Sequence, residues 1–104
     1  MQVAMAEIAM VQVIENRAEF DGRVLAIQDD ATRPGHKRAT FEVRAVRQVE
    51  AYPNLLKEAI GTSLDVVIPN DAAGAVQVGR VLRCRARRTG PATVFVESCL
   101  ETGE

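Results

Sequence analysis

Residues 37–49 alternate between apolar and polar side chains, and this period of two most limits the folds that the chain can adopt. The apolar members of the alternation are Ala39, Phe41, Val43 and Ala45. The polar members between them are Arg38, Thr40, Glu42 and Arg44. Such a period places one set on each side of a β-strand. The pattern predicts a long strand with one side in the core and one side in water, as is common in antiparallel sheets.

Four further runs of apolar or alternating residues predict strands, because turn-forming residues bound each of them. They cover residues 22–27, 63–69, 76–88 and 92–100. The last two predict the clearest hairpin, because Thr89, Gly90 and Pro91 join them. Within residues 76–88, Arg80 directly after Gly79 also predicts a bulge or bend.

Two segments with helical spacing complete the predicted elements. An apolar stripe through Met10, Val13, Ile14 and Ala18 predicts an N-terminal helix within the first eighteen residues. The β-branched side chains of Val11, Val13 and Ile14 leave a strand open. Residues 53–60 predict a helix of about two turns, ended by Gly61 just past its last residue.

The size and composition of the chain predict one domain over residues 1–104. With 47% hydrophobic residues, a chain of this length can bury roughly two-thirds of the surface of its unfolded form. No apolar run reaches the roughly 18 to 20 residues of a membrane-spanning helix. The apolar N-terminus also lacks the basic residues that precede the apolar stretch of a secretory signal. We therefore expect a cytoplasmic protein with no membrane contact.

The two cysteines are expected to point apart. Strand alternation puts Cys84 on the apolar side of its strand and Cys99 on the side opposite to Val94 and Val96. With both valines in the core, the two sulfur atoms would lie on opposite sides of one hairpin and could not be bridged without moving the backbone. Free thiols suit a reducing compartment.

Five strands, one short helix and no βαβ repeat predict a mainly β fold, a small five-stranded antiparallel barrel with the N-terminal helix added. The strand pattern resembles an OB-fold barrel, although the usual OB-fold helix follows the third strand and the helix predicted here precedes it. Short strings within the strands are FDGRV at 20–24, TFEV at 40–43, VVIP at 66–69 and VGR at 78–80. Through these strings the chain resembles netrin-like modules.

This resemblance implies a protein that binds proteins, nucleic acids or sugars, but a fold alone does not settle function. It does not extend to protease inhibition. Secreted netrin-like inhibitors reach a protease's metal with a cysteine-anchored N-terminus, and this chain has no cysteine before Cys84.

Arginine placement is the main functional signal, because ten of the thirteen basic residues fall in residues 33–47 and 80–88. The outward side of the predicted strands carries Arg38, Arg44, Arg83, Arg85 and Arg87. Side by side, these guanidinium groups would form a positive surface able to hold phosphates. The sequence thus predicts a non-enzymatic module that binds nucleic acid or another polyanion.

The alternative is a protein-interaction module, monomeric or homodimeric, with no nucleic-acid role. In it Glu42, Glu97 and Glu101 would neutralise the same arginines, since exposed ion pairs are common on wet strand faces. The low number of aromatic residues, three Phe and one Tyr, weighs against single-stranded nucleic acid, because its binders usually stack bases on exposed rings. With Phe41 expected in the core, the candidates for that role are Phe95, Tyr52 and Phe20.

Catalytic and metal sites are not predicted. His36 is the only histidine and has no evident partner for acid or base work. Together with Cys84 and Cys99 it lacks the close paired spacing of a zinc site. The chain also has no glycine-rich phosphate loop and no nucleophile elbow, so we expect no enzyme, no metal and no cofactor.

Overall fold

Five β-strands make up the regular structure in a computed structural model that describes residues 15–102. The strands are β1 (Ala18–Asp29), β2 (His36–Gln48), β3 (Ser63–Pro69), β4 (Val81–Gly90) and β5 (Thr93–Glu101). Two short 3₁₀ turns, Lys57–Ala59 and Asn70–Ala72, lie on either side of β3. The prediction of a mainly β fold with five strands is confirmed.

Hydrogen bonds join the strands in a ring with the order β1-β2-β3-β5-β4, and β4 pairs with β1 to close it. Four of these pairings are antiparallel. The pairing of β3 with β5, through Val67 and Phe95, is parallel. The prediction of a wholly antiparallel sheet was therefore wrong at this seam. An odd number of strands in a closed ring cannot reverse direction at every seam, so one parallel pair is unavoidable.

Apolar side chains fill the inner side of the ring around Phe20 and Phe41, which are both fully buried. Their ring centroids lie 5.2 Å apart at an interplanar angle of 80°, an edge-to-face arrangement that aromatic pairs favour. The strands β1 and β2 come close beside this pair, because Gly22 has no side chain. A Cβ atom at Gly22 would lie 3.2 Å from the Phe41 Cβ and 3.0 Å from the Glu42 carbonyl oxygen.

The predicted two-turn helix over residues 53–60 is not formed. Only the 3₁₀ turn Lys57–Ala59 is present there, and the segment buries Leu56 while Ile60 is half exposed. The side-chain oxygen of Asn54 accepts a hydrogen bond of 3.0 Å from the Leu56 N–H. Such local side-chain bonds compete with helical backbone bonding, so the apolar spacing was wrongly interpreted as a helix.

The predicted N-terminal helix lies mostly outside the described residues, because it covers residues 1–18. The four described residues of that segment are not helical. Residues 15–17 have no regular structure, and Ala18 begins β1. No α-helix occurs anywhere in residues 15–102, and no helix there is long and apolar enough to cross a membrane.

The fourth strand begins at Val81 rather than at residue 76, because the chain bends at Gly79. Gly79 has a φ of 93°, a left-handed conformation that glycine adopts without steric cost. Its N–H donates to the Val24 carbonyl at 2.8 Å, and the Val24 N–H donates to the Arg80 carbonyl at 2.9 Å. The bend predicted at Gly79 therefore marks the entry of the chain into β4.

Candidate functional site

The strand β4 carries its three predicted arginines outward. Arg83, Arg85 and Arg87 are exposed and alternate with the fully buried residues of the same strand. Those buried residues are Leu82, Cys84 and Ala86. The alternation predicted for this strand is therefore found in the structure.

A bulge divides the outward side of β2. The pairing of β2 with β1 shifts between Asp21 and Gly22, so that Arg44 has no opposite residue on β1. Beyond the bulge Val46 packs against the core and Arg47 takes an outward position opposite Glu19. The extra residue reverses the alternation, as bulges do. Arg38 and Arg44 are both exposed ahead of this reversal. Ala45, which the sequence placed on the inward side, instead lies opposite Asp21.

Arg47 joins a cluster of alternating charges that the sequence did not reveal. This Asp21 cluster consists of Glu19, Asp21, Arg47 and Arg83. Arg47 donates hydrogen bonds to the Glu19 and Asp21 carboxylates, and Arg83 donates to Asp21 over 3.0 Å. The only sequence signal for the bulge was the pair of consecutive apolar residues at positions 45 and 46, which interrupts a strict alternation.

The two arginines control the ionisation of Asp21. Partial burial by itself raises the pKa of this carboxyl, but the hydrogen bonds from Arg83 and Arg47, with the attraction of their charges, outweigh burial. The pKa of Asp21 therefore lies below its usual value. The guanidinium groups of Arg47 and Arg83 are engaged inside the molecule.

Each glutamate named for the neutralising alternative pairs with an arginine. Glu97 accepts a hydrogen bond of 3.0 Å from Arg17 and lies 3.7 Å from Arg87. The other pairs are Arg44 with Glu42 at 4.0 Å and Arg80 with Glu101 at 3.3 Å. Much of the predicted positive surface is thus neutralised locally.

Two of the predicted site residues, Arg38 and Arg85, keep exposed guanidinium groups. Neither forms an ion pair or a side-chain hydrogen bond within residues 15–102. Arg38 lies opposite Gln28 on β1 and lines a cleft of about 400 Å³ that also contains Asp65. Arg85 lies between Glu19 on β1 and Ser98 on β5 in the strand register. These two guanidinium groups are available to bind an anionic ligand.

A second row of side chains connects Arg38 with Arg87 across the other half of the ring. Arg38 lies opposite Val67 on β3, Val67 pairs with Phe95 on β5, and Phe95 lies opposite Arg87 on β4. Val66 and Ile68 belong to the core cluster, so Val67 between them points to the outer side, although it is only 4% exposed. We call this surface the Phe95 face and define it as Arg33, Arg38, Val67, Arg85, Arg87 and Phe95.

The loop between β1 and β2 holds Arg33 over the Phe95 ring. The Asp30 carboxylate, 6% exposed as a residue, accepts hydrogen bonds from the Thr32 N–H at 2.9 Å, the Thr32 hydroxyl at 2.8 Å and Arg33 at 3.2 Å. The hydrogen bond from the Thr32 N–H is the main cause that lowers the pKa of Asp30. The Arg33 guanidinium then lies 5.5 Å from the centre of the Phe95 ring.

The structure separates the aromatic candidates for stacking. Phe20 is in the core and is excluded. Tyr52 has the Arg17 guanidinium 5.0 Å from its ring centre, and Phe95 is half-buried with Arg33 on its face. The ring of His36 approaches Phe95 edge-on at 6.4 Å. Of the three rings, Phe95 has the most arginine side chains around it.

The two cysteines lie directly opposite each other on β4 and β5, with their sulfur atoms 2.9 Å apart. The prediction that they point apart was wrong. Arg85 lies opposite Ser98 and Ala86 lies opposite Val96, so Glu97 is an extra residue on β5. This bulge reverses the alternation and turns Cys99 toward the same side as Val96.

No group of His, Cys, Asp and Glu within the described residues could hold a metal ion. Comparison of the chain with models of protein families, with curated proteins and with solved structures finds no match. The resemblance to OB-fold and netrin-like modules stays a prediction. Function is therefore inferred from the side chains, above all from those of the Phe95 face.

Proposed function

We propose that the protein is a non-enzymatic module that binds single-stranded nucleic acid, or a polyanion of similar chemistry, across the Phe95 face. The supporting observation is the row in which an accessible ring, Phe95, lies between the arginines of β2 and β4. Aromatic rings for bases and cations for the backbone are the two features that single-strand binders combine.

The charge of the Phe95 face supports an anionic ligand. Its four arginines, Arg33, Arg38, Arg85 and Arg87, have only two carboxylate partners, Asp30 and Glu97, within the described residues. The chain as a whole has a net charge of -1, whereas this face carries a net positive charge. Arg38 and Arg85 can bind phosphates without breaking an existing ion pair. Arg83 would have to leave Asp21, which makes it a weaker candidate than the sequence suggested.

The stacking geometry supports a base as part of that ligand. Phe95 is half-buried, so its position is fixed by its neighbours while part of the ring remains accessible. Arg33 already packs on the ring, and a guanidinium plane can itself stack on a base. A base could replace Arg33 on the ring or extend the stack that Arg33 begins.

The OB-like barrel stays part of this proposal. A ring of five strands supports it, and OB-folds bind oligonucleotides on the face of strands 2 and 3 with the loops between strands 1 and 2 and between strands 4 and 5. The Phe95 face draws Arg38 from β2, Val67 from β3 and Arg33 from the loop between β1 and β2. Its position fits the surface that such barrels use.

A protein-interaction module, in the form of a monomer or a homodimer, is the second candidate. Leu100 is 68% exposed and lies opposite Arg83 in the register, so an apolar side chain stands beside the Asp21 cluster. Paired charges around an apolar contact are typical of the rim of a protein interface. On this alternative the Phe95 face would bind no nucleic acid.

The test of the first candidate is a fluorescence anisotropy titration with short single-stranded DNA and RNA at two salt concentrations. We expect Arg38→Gln with Arg85→Gln to weaken binding and to flatten the salt dependence by about 0.7 in slope for each phosphate that the variant no longer neutralises. Arg23→Gln is the matched control, because Arg23 is an exposed arginine on β1 outside the Phe95 face. An equal loss of affinity in the double variant and in Arg23→Gln would contradict the proposed surface.

The ring itself is tested in the same titration. Phe95→Ala and Phe95→Leu should both lose the stacking contribution, about 1–3 kcal/mol for each stacked base, while Phe95→Leu keeps an apolar contact beside Val67. Circular dichroism establishes that both variants fold. No binding of the wild-type protein at low salt would reject the polyanion, and sedimentation of the free protein then tests the homodimer.

A further inference from the structure

The cysteines on β4 and β5 occupy positions that permit a covalent bond. Cys84 and Cys99 are direct partners in an antiparallel pair, and their sulfur atoms are 2.9 Å apart. Opposite residues in such pairs have Cα atoms about 4.5 to 5.5 Å apart, within the roughly 4.4 to 6.8 Å that a disulfide needs. Neither strand has to move for the sulfur atoms to join.

The two thiols differ in their access to solvent. Cys84 is fully buried in the core. Cys99 is half-buried and lines a cleft of about 460 Å³ between β5 and the loop after β3. Asp71, Gly74 and Ser98 are among the other residues of this cleft. A small oxidant can therefore approach the Cys99 sulfur but not the Cys84 sulfur.

The contact between the thiols also makes Cys99 the more acidic of the two. A hydrogen bond from the Cys84 thiol lowers the pKa of Cys99. The same hydrogen bond, followed by burial, raises the pKa of Cys84. The thiolate is the reactive form of cysteine, so access and acidity both favour first attack by Cys99.

We propose that Cys84 and Cys99 are a redox-sensitive pair that closes reversibly to an intramolecular disulfide, with Cys99 as the attacking and Cys84 as the resolving cysteine. In the first step the Cys99 sulfur attacks a low-molecular-weight disulfide, a mixed disulfide forms on Cys99 and one thiolate leaves. In the second step Cys84 loses its proton, its sulfur bonds to the Cys99 sulfur, and the second thiolate leaves. The oxidant gains the two electrons and, with the two protons released, becomes two thiols.

This bond would tie β4 to β5 at the point where Arg83 and Arg85 flank Cys84. The reduced pair is the expected resting form in a reducing compartment, and the bond closes when a disulfide oxidant accumulates. The proposal does not depend on the ligand of the Phe95 face.

The test exposes the folded full-length protein to oxidised glutathione, followed by alkylation and intact mass spectrometry. We expect the wild-type monomer to lose the mass of two hydrogen atoms, to resist alkylation at both cysteines and to recover both thiols on reduction. Its thermal midpoint should rise by about 10 °C or more, because the bond constrains the unfolded chain.

Single variants separate the roles of the two thiols. Cys84→Ala should retain one glutathione on Cys99, whereas Cys99→Ser should remain unmodified while folded, as circular dichroism verifies. If Cys84→Ala does not fold, the wild-type time course should show the Cys99 adduct before the internal bond. Thiols that stay free in the folded wild type, an adduct that never resolves, or a disulfide-linked dimer would each overturn the proposal.

Discussion

Replacing Phe41 with alanine is expected to lower the free energy of unfolding by about 3–5 kcal/mol. Phe41 is fully buried at the centre of the ring of strands, and its edge contact with Phe20 fixes the packing between β1 and β2. Truncation removes that contact and leaves a cavity in the core. A domain of this size is stabilised by about 5–15 kcal/mol in total, so the loss is a large part of it.

Urea denaturation followed by circular dichroism measures this effect. Leu100→Ala is the control, because Leu100 is 68% exposed and surface truncations usually change stability by no more than about 0.5 kcal/mol. A loss below about 1 kcal/mol in Phe41→Ala would show that the residue is not at the centre of the core.

Neutralising Asp21 should change stability and binding in opposite directions. At neutral pH, Asp21→Asn is expected to lower the free energy of unfolding by about 1–2 kcal/mol, because charge-assisted hydrogen bonds from Arg47 and Arg83 are weakened in a partly exposed site. The released guanidinium groups should then raise the affinity for single-stranded DNA. Anisotropy titration at low salt measures this gain.

The pH dependence gives the sign of the electrostatic contribution. The pKa of Asp21 is lower in the folded protein than in the unfolded chain, so the ionised carboxylate contributes its full stabilisation at neutral pH. This stabilisation is lost as the pH falls below about 4 and then through the pKa of Asp21 in the folded protein. The stability difference between wild type and Asp21→Asn should therefore disappear in acid. Asp71→Asn, at an exposed residue outside the cluster, is the control and should show no such convergence.

The candidate site was only partly predictable. Alternation in β4 placed Arg83, Arg85 and Arg87 outward, and the structure agrees. The sequence could not tell that Asp21 engages Arg83, because the two are 62 positions apart and meet only when β4 pairs with β1. It also could not assemble the Phe95 face, whose central seam is the parallel pairing of β3 with β5.

Local patterns determined that there are five strands, roughly where each lies, and which side chains face the core ahead of each bulge, because a period of two is a property of neighbouring residues. Tertiary structure decided the effect of two of the bulges, the one that brings Arg47 into the Asp21 cluster and the one that brings Cys99 against Cys84. One inserted residue reverses every later side chain of a strand, and register is set by the partner strand rather than by the sequence next to it.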